Sequence, residues 1–323
     1  MTIHGERILI TGATGFIGGR LAERLARENH VKALVRDTAE SKTSRLRSLG
    51  VELIPGNLRD LDSLRNAVRD VDLVYHLAEE SGFSRKACRI NLEATKTLLD
   101  TSQSIQVKRF VYVSTVAVNI NHQRRDDSTH YEPYPWYLHA VAKCEGEKYG
   151  FEKYRRDGFP FTVVRPAAVY AKNSPLIDDI VAWPKNHRRL GYPVLGDGNN
   201  LMHFGHVDDV AQALVLVGEK NEAVGNAYII VDDMPISWNA LLETIAQVFG
   251  VRLNGWHIPV LPVKSAASVI EWLSRATSGP IPARLLVDVF SGDFVFSNRK
   301  AKEDLGFNPE YPSPFEGLRN GEN

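Results

Sequence analysis

The sequence predicts an α/β protein, a doubly wound parallel sheet carrying a smaller C-terminal lobe. Three observations lead there. A short apolar strand, Arg7–Ile10, runs through a glycine-rich turn into an apolar helix that opens at Phe16. Apolar runs of strand length then alternate with helical patterns along most of the chain, as βαβ units require. With 323 residues the chain is long for one small domain but suits a large sheet with an added lobe.

The elements follow in order. After the first strand comes Thr11-Gly-Ala-Thr14-Gly-Phe-Ile-Gly18, in which each glycine has a separate task. Gly12 allows the tight turn, Gly15 lets the backbone approach a pyrophosphate, and Gly18 lets the helix pack closely on the strand. The helix N-terminus then faces the phosphates, so the unit reads as a dinucleotide site. Asn29-His30 leads into a second strand, Val31–Val35, and further strands are expected at Val51–Ile54, Leu73–Leu77, Phe110–Val113, Phe161–Val164 and Tyr228–Val231. The polar, Pro-containing stretch from Asn119 to Pro135 reads as a loop over the site. Beyond Tyr170 the chain is richer in Pro and Gly and less regular. The expected division is therefore a dinucleotide-binding unit over 1–170, rejoined by 204–232, and a substrate-binding lobe made of 171–203 and 233–323.

Composition excludes several classes. The 39 basic and 39 acidic residues balance, so no net field points to nucleic acid. Cys88 and Cys144 are too few and too isolated for a disulfide framework, and no His spacing matches a metal site. The first strand begins within a few residues of Met1 without a basic-then-apolar leader, and the expected location is cytoplasmic. The longest apolar stretch, Ile258 to Leu273, is interrupted by Pro262, Lys264, Ser265 and Glu271, which argues against a bilayer span of about 20 residues. It can still form a helix with one greasy face.

Further segments occur in a recognisable order: Gly56-Asn-Leu-Arg-Asp60, His76-Leu-Ala78, Asn91 with Thr95, Val113-Ser-Thr115, Lys143 with Glu147, Arg165-Pro166, His206-Val-Asp-Asp-Val210 and Asn298 to Phe307. Together with the glycine turn they resemble the extended short-chain dehydrogenases/reductases, in the NAD-dependent epimerase/dehydratase family. In character the chain is nearest to members like 3β-hydroxysteroid dehydrogenases or dihydroflavonol reductases. The resemblance implies a Rossmann fold, a nicotinamide cofactor and oxidoreductase chemistry. Carried over residue by residue, the cofactor site comprises Gly12, Thr14, Gly15, Phe16, Ile17, Gly18, Asn57, Leu58, Leu77, Ala78, Lys143 and Pro166.

Cofactor choice is read at the end of the second strand, where an acid bonds the ribose hydroxyls of NAD and a base accepts the extra phosphate of NADP. Arg36 stands there, with Lys42 and Arg45 following, and a guanidinium suits a phosphate bidentately. NADP is the expected cofactor. Asp37 is adjacent, so NAD stays open as the alternative, as does a plain surface role for Arg36.

In the family's catalytic group a Tyr precedes a Lys by four residues, because residues four apart on a helix are neighbours and the ammonium can act on the phenol. Lys143 fits, and Thr115 takes the hydroxyl position with Ser114 beside it, but the residue four before Lys143 is His139. Tyr137 is two residues further back, about 200 degrees around a helix, and could serve only if the helix began later than usual. An unperturbed imidazole titrates near about 6.5, so His139 could exchange a proton near neutral pH. The alternative is that the tyrosine chemistry is lost and His139 is a pocket residue. Glu79 and Glu80 stand where the family usually has small residues, and either, pointing inward, would pair with His139.

The substrate is read from departures. Where sugar-nucleotide members carry diphosphate-binding Asn and Arg, this chain has Ala168 and Leu201-Met-His203, so charge-assisted contacts are missing and an apolar pocket is expected. Trp183, Trp238, Trp256 and Trp272 are available in that half, either for the pocket or as ordinary core. The leading expectation is a hydride transfer between the nicotinamide and a ketone or secondary alcohol of an apolar small molecule, with a homodimer left open. A non-catalytic NADP-binding sensor or assembly protein, and an isomerase or lyase using the same pocket, are the alternatives.

Overall fold

The computed structural model describes residues 3–38, 41–82, 84–120, 131–186, 191–253, 255–277 and 279–321. Six strands, β1 (Arg7–Thr11), β2 (His30–Val35), β3 (Glu52–Pro55), β4 (Leu73–His76), β5 (Arg109–Val113) and β6 (Phe161–Pro166), join Ala227–Ile230 in one parallel sheet. From one edge the order is Ala227–Ile230, β6, β5, β4, β1, β2, β3. All seven expected strands are present, and the order reverses between β1 and β4, the switch point at which open α/β sheets bind ligands.

Strand parity assigns each side chain to a face. Ile8, Ile10, Tyr75, Val111 and Val164 pack on one side against Leu21 and Leu25 of the helix Phe16–Leu25 and Val210 and Leu214 of the helix Val207–Glu219. Leu9, Val74, Phe110, Tyr112 and Phe161 pack on the other against Leu98 and Leu99 of the helix Arg85–Ser104 and Phe151 of the helix Leu138–Asp157. Both faces being covered, β4 and β5 are buried at every position.

The second lobe has a core of its own, in which Ile177, Val194, Trp238, Leu242, Leu285, Phe294 and Phe296 meet Val116 and Phe204. The expected division changes at its C-terminal end. Residues 299–307 were assigned to the substrate lobe, yet Ala301, Leu305 and Phe307 pack into the sheet's core. Asp209 draws the following segment back too, accepting hydrogen bonds from the Glu310 and Tyr311 backbone at 2.7 and 3.2 Å. Of the expected loop over the site, residues 121–130 lie outside the described residues.

A buried ion pair joins the helix Leu138–Asp157 to β6. Arg165 donates to Glu147 through Nη2 at 2.6 Å and Nε at 3.1 Å, both side chains being fully buried.

Candidate active site

The site is built from the carboxyl ends of the central strands. Gly12, following β1, has φ +79°, a left-handed backbone that favours glycine, and a Cβ there would stand 2.8 Å from the Ala78 nitrogen. The turn closes as Gly15 N–H donates to the Gly12 carbonyl at 2.9 Å. Bare backbone thus borders a groove of about 270 Å³, lined by Gly12, Thr14, Gly15, Arg36, Asn57, Leu58, Leu77 and Ala78. Gly12, Gly15, Leu77 and Glu79 also border a cavity of about 310 Å³, whose other walls include Phe16, Ile17, Gly18, Ser114, Thr115, His139, Lys143 and Pro166. Every residue expected from the sequence to bind cofactor or act in catalysis therefore lies on one of two adjoining depressions, and the glycine cradle suits an extended dinucleotide.

At the outer end of the groove Arg36 is exposed and makes no ion pair among the described residues. Arg45 is engaged elsewhere, 2.6 Å from Glu23, and the side chain of Lys42 lies outside the described residues.

A buried polar chain fixes the floor. The Thr11 hydroxyl accepts from Leu77 N–H and Ala78 N–H at 3.2 Å each, so its hydrogen is directed to His76 Nδ1, 2.8 Å away. His76 Nε2 then donates to the Thr95 hydroxyl at 2.9 Å, which donates to the Asn91 carbonyl at 2.8 Å. This direction requires a neutral ring. Burial, reinforced by the nearby charge of Lys143, pushes His76 down to about 3.

Asn91 carries the order one step further. Its side chain accepts from Glu80 N–H at 2.6 Å and donates to the Glu80 carbonyl at 3.3 Å, clasping the loop after β4. Glu80 itself turns out to Arg59 at 2.6 Å. Its neighbour Glu79 turns in, with Oε1 3.0 Å from His139 Nε2 and 2.7 Å from Lys143 Nζ. Partial burial would raise the Glu79 carboxyl, but the Lys143 charge and the His139 hydrogen bond hold it well below the usual carboxylate range. Lys143 is buried, which lowers its pKa, yet Tyr112 and Glu79 leave it raised overall. Its ammonium also donates to the Val113 carbonyl at 2.7 Å and lies 4.8 Å from the centre of the Tyr112 ring.

The helix Leu138–Asp157 begins immediately after Tyr137, which sits at its cap with φ −90° and ψ 77°. Tyr137 is therefore outside the helical register that faces Lys143. His139 shares that face, one turn earlier. Thr115 caps the short turn Val116–Asn119, accepting from Ala117 N–H at 3.2 Å and keeping its own hydrogen to donate. The Ser114 hydroxyl is buried without a hydrogen-bond partner among the described residues.

Beyond Thr115 and Ala167 lies a second cavity of about 580 Å³. Val116, Ala117, Ile120, Tyr137, Leu285, Leu286, Val289, Phe290, Phe294 and Phe296 make it predominantly apolar, and Ala168, Met202 and His203 border it where an apolar pocket was expected. Burial lowers His203 to about 4, and its Nδ1 accepts from Phe296 N–H at 2.9 Å. None of the four tryptophans lines the cavity. Trp238 is buried in the lobe core and Trp183 packs on Tyr192, while Trp256 and Trp272 lie at the surface. Of the two readings left open for the tryptophans the pocket role does not hold, and Phe290, Phe294 and Phe296 supply the cavity's phenylalanine wall instead. The spacing of Leu285, Leu286, Val289 and Phe290 on one helix was the signal available for them.

Residues 8–231 match the NAD dependent epimerase/dehydratase family. Among curated proteins, the chain is 25% identical over 312 residues to a 4-hydroxy-2-methyl-3-oxo-4-farnesyl-3,4-dihydroquinoline-1-oxide ketoreductase of Stigmatella aurantiaca, covering 93% of this chain and 91% of that one. It is 27% identical over 333 residues to short-chain dehydrogenase/reductase family 42E member 1 of Homo sapiens, covering 94% and 84%. Among solved structures, that of UDP-glucuronic acid 4-epimerase from Bacillus cereus in complex with NAD superposes with a TM-score of 0.74 at 21% identity, over 97% of this chain and 94% of that one. This last likeness establishes the fold.

Proposed function

The chain belongs to the NAD dependent epimerase/dehydratase family, and from that premise we propose that it is an NADP-dependent reductase or dehydrogenase of an apolar ketone or secondary alcohol, with His139 handling the proton. One observation carries the reading: His139, Glu79 and Lys143 meet in the cavity that shares Gly12 and Gly15 with the dinucleotide groove and Thr115 and Ala167 with the apolar cavity. The ketoreductase relative, whose name specifies a farnesyl-bearing quinoline oxide, supports an apolar carbonyl substrate.

Arg36, Asn57 and Leu58 hold the adenosine end of the dinucleotide, the turn Gly12–Gly18 its pyrophosphate, and Lys143 its nicotinamide ribose. When bound, the nicotinamide supplies or accepts the hydride. Thr115 donates its hydroxyl hydrogen to the substrate oxygen, with Ser114 in reserve beside it. Nε2 being taken by Glu79, His139 passes a proton from Nδ1 to that oxygen in reduction and takes one there in oxidation. Glu79 holds the imidazole by Nε2 and favours its charged form as the proton moves, while Lys143 compensates the carboxylate. The cavity beyond Thr115 excludes water and receives the apolar body of the substrate.

The test is a panel of apolar ketones offered to the protein with NADPH or NADH, followed by absorbance of the reduced nicotinamide. Oxidation of NADPH with at least one ketone is expected. Tight NADPH binding without turnover on any ketone or alcohol would replace this reading with that of a nucleotide-binding sensor or assembly protein.

A further inference from the structure

The helix Val260–Ser274 is turned inside out. Its one acid, Glu271, is buried, accepting from the Tyr134 hydroxyl at 2.8 Å and from Arg284 N–H at 3.3 Å, and Lys264 is tied to Asp288 at 2.6 Å. Val260, Val263 and Ala267 pack inward, but Leu261, Val269, Ile270, Trp272 and Leu273 go outward, Leu261 exposed by 79% and Trp272 by 66%. The one base of this helix, Lys264, is partly exposed but tied to Asp288, and the positions of its outward face carry no other charge. Single exposed apolar residues are ordinary, but a whole uncharged helix face in water marks a contact surface.

Two features say what covers it. The helix packs through Ala267 on Ala283 and Val287 of the helix Ala283–Ser291, whose neighbours Ile281, Leu286 and Phe290 are exposed and also line the apolar cavity, so the greasy face runs on to the cavity's rim. A protein partner seated there would cover that rim, whereas a bilayer would feed it. The charge fits as well. Residues 251–290 hold Arg252, Lys264, Arg275 and Arg284 against Glu271 and Asp288, an excess of base in a chain whose 39 bases and 39 acids balance as a whole. We propose that this face lies in the interfacial plane of an anionic lipid bilayer and that apolar substrate enters the cavity from the membrane. Leu, Val, Ile and Trp would sink below the headgroups while Arg284 stays among them, beside Arg275, which is also 3.4 Å from Glu271. Docking stands on the helix face alone; entry of substrate by this route rests on the reading of the cavity given above.

The experiment is flotation of the full chain with vesicles of phosphatidylcholine and phosphatidylglycerol, compared with phosphatidylcholine alone. The chain is expected to float, more strongly with the anionic lipid, and Leu261→Ser/Trp272→Ser is expected to lower partitioning at least about tenfold with an unchanged thermal melt. Failure to float overturns the proposal, as does flotation that the double variant retains. Light scattering that finds a dimer dissociated by the same variant would assign the face to a second copy instead. Turnover of a water-miscible ketone, read in the same samples, keeps the two claims apart: an unmodified chain that turns over without floating refutes docking alone, and one that floats without turnover refutes the catalytic reading alone.

Discussion

Glu79→Gln keeps the size and one acceptor of the carboxylate but removes its charge. In the structure one oxygen of Glu79 serves both His139 Nε2 at 3.0 Å and Lys143 Nζ at 2.7 Å, so the substitution disturbs both partners at once. A hydrogen bond to a charged group is worth about 1.5–3 kcal/mol, and a carboxylate about a third exposed belongs at the lower end because solvent screens it. With about 1.4 kcal/mol per factor of ten, kcat should fall roughly tenfold. The loss should fall on kcat more than on the substrate KM, because in the proposed mechanism the carboxylate stabilises charge that develops on the imidazole rather than contacting the apolar body of the substrate. Steady-state kinetics with saturating NADPH, repeated across pH, provides the assay. A variant with the unmodified kcat and an unmoved pH profile would refute the argument that Glu79 positions His139.

Three further outcomes are expected. Arg36→Ala should weaken NADP binding by about 1–3 kcal/mol while sparing NAD, as measured by calorimetry; equal affinity of the unmodified protein for both dinucleotides would remove the case for NADP. Glu147→Ala removes the carboxylate that the fully buried Arg165 meets and should destabilise the fold by about 3–5 kcal/mol, read from denaturant midpoints; a loss below about 1 kcal/mol would contradict the burial assigned to the pair. His76 is held down to about 3 in the fold, so between that value and about 6.5 the unfolded chain takes a proton that the folded one refuses, and stability rises with pH. His76→Gln should remove about 1.4 kcal/mol per pH unit of that slope, and an identical slope in variant and parent would mean that the imidazole is charged in the fold.

The seven strands were legible because each is an apolar run bounded by turn residues, as with Leu73 to His76 between Asp72 and the glutamates that follow. Their order was not legible from periodicity, which says nothing of neighbours. The site was legible where spacing along one element decides geometry, as for His139 and Lys143 one turn apart, or Gly12 and Gly15 in one turn. It was not legible where distant residues decide. Nothing local distinguishes Glu79 from Glu80; Asn91 clasps one backbone and Lys143 draws in the other side chain, and only the fold brings these together. The apolar cavity joins Val116 to Phe294 across most of the chain. Composition left open whether the tryptophans serve the pocket or the core, and for Trp272 neither holds: Ala267 and Glu271 occupy the inward face of its helix, which leaves the indole outside.

The central claim is that His139 moves the proton. Its most direct test is turnover by His139→Ala on a ketone that the parent protein reduces, with NADPH affinity measured alongside. The account predicts a fall in kcat of about 10²- to 10⁴-fold with NADPH affinity nearly unchanged, whereas Lys143→Ala should damage both. Undiminished turnover by His139→Ala would contradict it.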